Sequence, residues 1–177
     1  MQEKYYIEIT LTNSKKIRLC LERKYAPTTV DHFVELVKND YFNGTIFHRI
    51  IKDFMIQSGG YCIEDNSLIE MPEVSSIKGE FASNGFADNT LKHTKGVISM
   101  ARTSDKNSAT GQFFICAADC TWLDGEYAAF GKTIDEESLN NVLEVSNMQT
   151  ARLHPAFTDF PVELIGIETI KLIDGEN

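Results

Sequence analysis

The sequence contains no run of basic residues longer than Lys15-Lys16, and its 17 Lys and Arg are outnumbered by 26 Asp and Glu, for a formal net charge of −9. Binding nucleic acid without regard to sequence requires clustered cations to neutralise phosphates, so that class of function is excluded. Acidity favours solubility but names no partner. Nothing approaches the ~20 consecutive apolar residues of a membrane span. Met1-Gln2-Glu3-Lys4-Tyr5-Tyr6 has neither the apolar core nor the small-residue cleavage site of a secretory signal, so a cytoplasmic protein without a membrane partner is expected. Repeats, low-complexity tracts and linkers are missing too.

Four cysteines, Cys20, Cys62, Cys116 and Cys120, show no framework spacing. Cys116 and Cys120 form a Cys-x3-Cys pair that no other close pair or Cys/His cluster accompanies, so a zinc site is poorly supported. Reduced, mostly buried thiols fit better. Glu64-Asp65, Glu70 and Glu73 lack the spacing of a calcium-binding loop and read as a solvated acidic loop. Gly-x-Ser-x-Gly and His-Glu-x-x-His are both missing, and the four histidines have no evident Ser or Cys partner, which argues against a hydrolase.

What is present fits one domain over residues 1–177, since 42% hydrophobic content at this length supplies a sizeable core. Tyr5 to Leu11 and Ile17 to Leu21 alternate apolar and polar residues around Asn13-Ser14-Lys15-Lys16 and predict a hairpin. Pro27 opens a helical pattern in which Val30, Phe33, Val34 and Val37 share one face, with Asp31 placed to complement the helix dipole. That helix should end near Asn39, ahead of an Asn43-Gly44 turn. Residues 61–89 read as irregular. Strands are expected at Gly96–Ala101, Phe113–Ala117 and Ala128–Gly131, with a polar loop over residues 102–112. A second helix should begin near Thr133, where Thr133 and Glu136 have capping-box form and Leu139, Val142 and Leu143 supply the stripe. Residues 146–161 read as loop, and Val162 to Leu172 as the closing strand. Many short strands with two helices point to an antiparallel barrel.

One stretch stands out: Phe47-His48-Arg49-Ile50-Ile51-Lys52-Asp53-Phe54-Met55-Ile56-Gln57-Ser58-Gly59-Gly60. It reads as strand, a Lys52-Asp53 turn, then strand, and its alternation sends Phe47, Arg49 and Ile51 to one face and His48 and Ile50 to the other. Met55 and Gln57 share a face after the turn. The Gly59-Gly60 pair allows a sharp turn or a close backbone approach. An arginine on an apolar strand face is ordinarily a snorkelling or salt-bridged one.

Further along come Ser99-Met100-Ala101-Arg102-Thr103, Gly111-Gln112-Phe113-Phe114-Ile115-Cys116, and Trp122-Leu123-Asp124-Gly125-Glu126-Tyr127-Ala128-Ala129-Phe130-Gly131. In this order, over nearly the whole chain, these motifs resemble the cyclophilin family of peptidyl-prolyl cis–trans isomerases. The Met100–Thr103 and Ser108-Ala109-Thr110 segments look like its bacterial branch. The resemblance implies a mainly β fold, a closed eight-stranded antiparallel barrel with two capping α-helices. It implies Arg49 as the catalytic residue and an apolar pocket of Phe54, Met55, Phe114 and Leu123. Gln57 and Gln112 would hold the arginine or the substrate backbone, and Ala101 and Arg102 would lie on the strand that meets the peptide. His48 would line the site, Trp122 would sit at its rim, and Tyr127 would wall the pocket. Many members carry Asn at the position of Arg102 and His at that of Tyr127.

The implied partners are proline-containing peptides, unfolded chains and, with its affinity at issue because of Tyr127 and Arg102, cyclosporin. A monomer without metal or organic cofactor is expected. The rival is a non-catalytic proline-peptide-binding or chaperone module that grips Xaa-Pro segments; Arg49 argues against it, because a pure binder needs no charge beside the prolyl nitrogen. Taken singly, Phe54, Met55, Phe114 and Trp122 also fit plain core packing, and Phe113 belongs there.

Overall fold

The computed structural model describes residues 2–175. β1 (Lys4–Leu11) and β2 (Lys16–Glu22) form the expected hairpin, and their alternate residues Ile7, Ile9, Leu11, Ile17, Leu19 and Leu21 are wholly buried. α1 (Pro27–Lys38) buries Val30, Phe33, Val34 and Val37 as its spacing predicts. β3 (Arg49–Ile51) and β4 (Met55–Ser58) follow, then a hairpin of β5 (Tyr61–Glu64) and β6 (Ser67–Glu70). β7 (Val97–Met100), β8 (Phe113–Cys116) and β9 (Ala129–Thr133) lead to α2 (Glu136–Ser146). The short strands β10 (Thr150–Ala151) and β11 (Phe160–Pro161) pair with each other before β12 (Ile167–Ile173) ends the fold.

Eight strands make one curled antiparallel sheet in the order β12-β1-β2-β9-β7-β8-β4-β3. The closed barrel expected from the sequence is not formed: β12 and β3 remain edges of a half-barrel. The reason is that β3 is three residues long and β12 begins only at Ile167. Across the gap run single hydrogen bonds instead of a ladder, from Phe47 N to Ile165 O (2.9 Å), Ile167 N to Thr45 O (2.7 Å) and Ile50 N to Asp159 O (3.0 Å). Gly166 permits this approach, since a Cβ there would lie 2.6 Å from the carbonyl oxygen of Thr45. The concave side holds the main core, to which Phe33 and Val34 of α1 and Val142 and Val145 of α2 contribute.

Local differences from the sequence reading have local causes. α2 is capped by Asp135, whose carboxylate accepts from Ser138 N at 2.7 Å, and not by Thr133. Thr133 is held in β9, opposite Leu19, with its N–H on Gly96 O. The β5–β6 hairpin interrupts a segment expected to be irregular; its turn is Asp65-Asn66, both in the left-handed region (φ 49° and 62°), which these two residue types tolerate. The closing strand starts at Ile167, five residues later than Val162. Asp31 lies beyond the first turn of α1 and pairs with Arg23 at 2.9 and 3.0 Å.

The N-terminus of α1 is capped from a distance. Ala26, the residue at the cap, has no side-chain acceptor. Glu80, only 4% exposed, supplies it, accepting from Thr29 N (2.6 Å), Thr29 Oγ1 (2.7 Å) and Thr28 N (3.2 Å). A carboxylate at this end of a helix meets free N–H groups and the favourable end of the dipole. Replacing Glu80 with Ala strands those donors and should cost about 2 kcal/mol. In calorimetry that is a Tm lowered by roughly 4–8 °C for a chain of this size, with Glu80→Gln falling between. An unchanged Tm in Glu80→Ala would show that the cap carries no stability.

Candidate functional site

Side chains on the outer face of β4, β7 and β8 form a second apolar cluster: Met55, Val97, Phe114 and Cys116, joined by Cys120, Leu123 and Ala129. Alternation divides each strand between the two cores. In β8, Phe113 and Ile115 point into the main core while Phe114 and Cys116 point outward. Above the outer cluster lies a cavity of about 130 Å³ lined by Arg49, Phe54, Met55, Gln57, Ala101, Arg102, Phe114, Leu123 and Tyr127. Nine of the twelve site residues expected from the sequence thus meet in one cavity.

Register brings them together. Arg49 on β3 is paired with Gln57 on β4, and Gln57 with Phe114 on β8. The turn between β3 and β4 closes with Phe54 N on Ile51 O (3.1 Å), and Asp53 takes φ 59° there. That turn leaves Phe54 at the mouth, its ring 5.7 Å from that of Trp122 and 6.0 Å from the Arg49 guanidinium. Leu123, 8% exposed, comes from the short helical turn Thr121–Leu123, and Tyr127 meets Phe114 edge-on at 5.9 Å.

Arg49 is exposed at the lip of this cavity, and among the described residues the one hydrogen bond of its side chain is a long one, from Nη1 to Gln57 Oε1 at 3.5 Å. Among the described residues no carboxylate pairs with it, whereas Arg18 and Arg23 each meet two or more. Gln57 is itself oriented, donating from Nε2 to Gln112 Oε1 at 2.9 Å. Gly60 leaves room for Gln112, since a Cβ there would lie 2.6 Å from the glutamine's amide carbon.

Three expected residues lie outside the cavity. Trp122 is 63% exposed and stands at the rim beside Phe54. Gln112 faces a neighbouring groove with Tyr41, Glu70 and Glu73, and is tied to the site through Gln57. His48 lines a groove on the other side of Arg49, with Tyr61, Phe157 and Asp159. Phe47 also departs from expectation. The strand starts only at Arg49, so residues 47 and 48 do not follow its alternation, and Phe47 enters the main core.

The sequence reading missed His93, which supports the site from beneath. Its ring is fully buried, stacks on Phe114 (6.1 Å, 16°), and bonds at both nitrogens. A carboxylate can only accept, so Nδ1–H donates to Asp124 Oδ1 (3.0 Å) and Nε2 accepts from Ser99 Oγ (2.9 Å). Asp124 adjoins Leu123, so this network braces two walls of the cavity. Ser99, His93 and Asp124 are the residue types of an acyl-transfer triad, but a ring with no exposure meets no substrate. No local motif marks His93, because its partners lie 6 and 31 residues away.

A family model described as "Cyclophilin type peptidyl-prolyl cis-trans isomerase/CLD" matches residues 6–172. The chain is 40% identical over 167 residues to peptidyl-prolyl cis-trans isomerase A of Dickeya dadantii, spanning 92% of this chain and 82% of that one. It is 39% identical over 170 residues to a peptidyl-prolyl cis-trans isomerase of Acinetobacter baylyi, at 92% and 84% coverage. A solved cyclophilin type peptidyl-prolyl cis-trans isomerase of Cryptosporidium parvum, crystallised in the presence of the dipeptide Ala-Pro, matches with a TM-score of 0.74 at 27% identity. That match covers 96% of this chain and 99% of the other. The curled sheet with its two helices is the mainly β cyclophilin fold. The chain belongs to the cyclophilin-type peptidyl-prolyl cis–trans isomerase family.

His48 gives the site a signature in pH. Burial, and then the positive charge of Arg49, push its pKa down to about 4, and Nδ1 has no hydrogen-bond partner. A histidine depressed in the folded state binds its proton more readily when unfolded. Stability is therefore full above pH 6.5 and declines as pH falls towards 4, by on the order of 3 kcal/mol across the window. Glu8 and Asp135, whose carboxylates are held below their ordinary values by partners, lose their contribution only at lower pH. Thermal melts between pH 6.5 and 5 should show a shallower decline for His48→Gln than for the wild type. Equal slopes would mean that His48 is not buried in neutral form.

Proposed function

We propose that this chain is a peptidyl-prolyl cis–trans isomerase that acts on Xaa-Pro bonds of peptides and unfolded chains, with Arg49 as its catalytic residue. The observation that carries this reading is an arginine at the lip of a cavity that Phe54, Met55, Phe114 and Leu123 help to line, with no carboxylate partner among the described residues and one long side-chain contact to Gln57. Both ordinary explanations of such a residue, an ion pair or a stem laid over apolar surface with its head in bulk water, leave its place beside the cavity unexplained.

Rotation about a peptide bond meets a barrier of about 18–20 kcal/mol, because the nitrogen lone pair is delocalised into the carbonyl. Uncatalysed prolyl exchange takes tens to hundreds of seconds. Bringing it to milliseconds requires roughly 7 kcal/mol of stabilisation specific to the twisted amide. Twisting localises the lone pair on a pyramidal nitrogen, which then accepts a hydrogen bond. The permanently charged fork of Arg49 donates to that nitrogen while reaching the adjacent carbonyl oxygen. Phe54, Met55, Phe114 and Leu123 seat the proline ring and exclude water, which strengthens the donor. Gln112 and Gln57 orient the guanidinium, Ala101 offers its main chain to the peptide, and Trp122 and His48 border the path on either side. No bond breaks and no electron leaves the substrate, so the step uses neither metal nor organic cofactor.

If Arg49 acts on the twisted amide, its energy is realised in the transition state and hardly in the ground state. Arg49→Ala should lower kcat/KM by about one to three orders of magnitude, roughly 1.4–4 kcal/mol, in a protease-coupled assay. Affinity for a ground-state proline peptide should fall much less. Arg49→Lys restores only part, because a point charge does not replace the fork. Wild-type rates in both variants would remove Arg49 from the mechanism; an inactive wild type that still binds the peptide would favour the non-catalytic module.

Tyr127 walls the cavity where many cyclophilins carry His, so it bears on ligand range more than on the twist. Tyr127→His is expected to change cyclosporin affinity by a larger factor than it changes the isomerisation rate. A change confined to the rate would count against this assignment.

A further inference from the structure

Arg102 is the second guanidinium of the cavity, and its geometry differs from that of Arg49. Nε and Nη2 donate to Glu126 O at 3.2 and 2.8 Å, and Nη1 donates to Thr103 O at 2.9 Å. Three of the five N–H donors of an arginine are thereby committed to main-chain carbonyls. The guanidinium also lies against two rings, 4.6 Å from the centre of Tyr127 and 5.0 Å from that of Phe81. Phe81 is 1% exposed and so serves as a fixed support.

We propose that Arg102 is a positioning residue: a strut that fastens Tyr127 and the loop before it to the sheet, and not a charge presented to the substrate. This rests on the prolyl-pocket reading given above. The strut starts at a rigid point, two residues beyond the end of β7, where Ala101 N is bonded to Gln112 O (3.0 Å). It ends on the segment 121–127, which supplies Trp122, Leu123 and Tyr127 to the rim and walls. A second tie runs in parallel, with Ser83 N on Gly125 O (2.9 Å) and Ser83 Oγ on Glu126 Oε2 (2.9 Å). Tyr127 then rests edge-on against Phe114, so holding its ring sets the width of the cavity on that side. The shape of the group matters here more than its charge: a planar fork spans two carbonyl contacts while its face lies on a ring, which an ammonium does not reproduce.

The test measures dissociation constants for two proline peptides, one with Ala and one with Glu before the proline, together with kcat and KM. Proteins compared are the wild type, Arg102→Gln, Arg102→Lys, Tyr127→Leu and the double variant Arg102→Gln/Tyr127→Leu. The strut predicts that Arg102→Gln weakens both peptides about equally, by roughly three- to tenfold, with KM moving more than kcat. Arg102→Lys should resemble Arg102→Gln, and in the Tyr127→Leu background the Gln substitution should add less than about twofold. Three results would each overturn the proposal: rescue by Lys, a loss confined to the Glu peptide, or losses that multiply in the double variant. Should Arg102→Gln melt below the assay temperature, Arg102→Lys, which keeps the aliphatic stem and the charge, decides alone, since wild-type affinity there contradicts the strut. The dissociation constants need no turnover, so an inactive wild type would refute the isomerase reading while still testing the strut.

Discussion

The site depends on the register of one antiparallel row. Arg49 on β3, Gln57 on β4, Phe114 on β8 and Ser99 on β7 are successive partners across four strands. Because side chains alternate faces, a slip of one residue would move the whole set to the other side of the sheet. Arg49 would then take the place of Ile50, which is 1% exposed in the main core, where an unpaired charge is prohibitive. The packing of Ile50, Ile56, Ile115 and Phe113 inside therefore holds the pocket residues outside. Fold stability and site geometry are fixed by the same side chains, read from opposite faces.

Charge distribution separates the structural arginines from the one at the pocket. Arg18 bonds Glu8 at 2.9 Å and lies near Asp135 and Glu137, and Arg23 makes a two-point contact with Asp31. In a chain with nine more acids than bases, an arginine that forms no ion pair among the described residues reflects where the acids are placed, not their scarcity. The guanidinium of Arg49 meets the amide of Gln57 and the ring of Phe54, which orient it without neutralising it.

Much of this was legible in the sequence, for identifiable reasons. The β1–β2 hairpin and α1 carry strong periodicities, and the structure follows them. Nine of the residues that the motifs single out line one cavity. What escaped was decided by partners far along the chain. Glu80 caps α1 across 51 residues, and His93 finds its carboxylate 31 residues away. Thr133 has capping-box form yet serves β9, because a strand partner claimed its backbone before the helix began. The expectation of closure failed on length: strand count alone does not tell that β3 is too short to extend the ladder to β12.

The two departures from the common family pattern fall where they leave that row intact. Arg102 follows β7 and Tyr127 precedes β9, so both stand on connecting segments and neither is a rung of the Arg49–Gln57–Phe114 row. They also touch each other, with the guanidinium 4.6 Å from the ring centre. Two residues in mutual contact thus act as one wall of the cavity, above the floor that Met55 and Phe114 form. On the proposed mechanism the group that requires accuracy, Arg49, is carried by the sheet, while the outline of the cavity on the Arg102–Tyr127 side is carried by loops, where substitutions disturb little else. A cavity built in this way can change its loop-borne wall without moving Arg49, the group proposed to act on the amide.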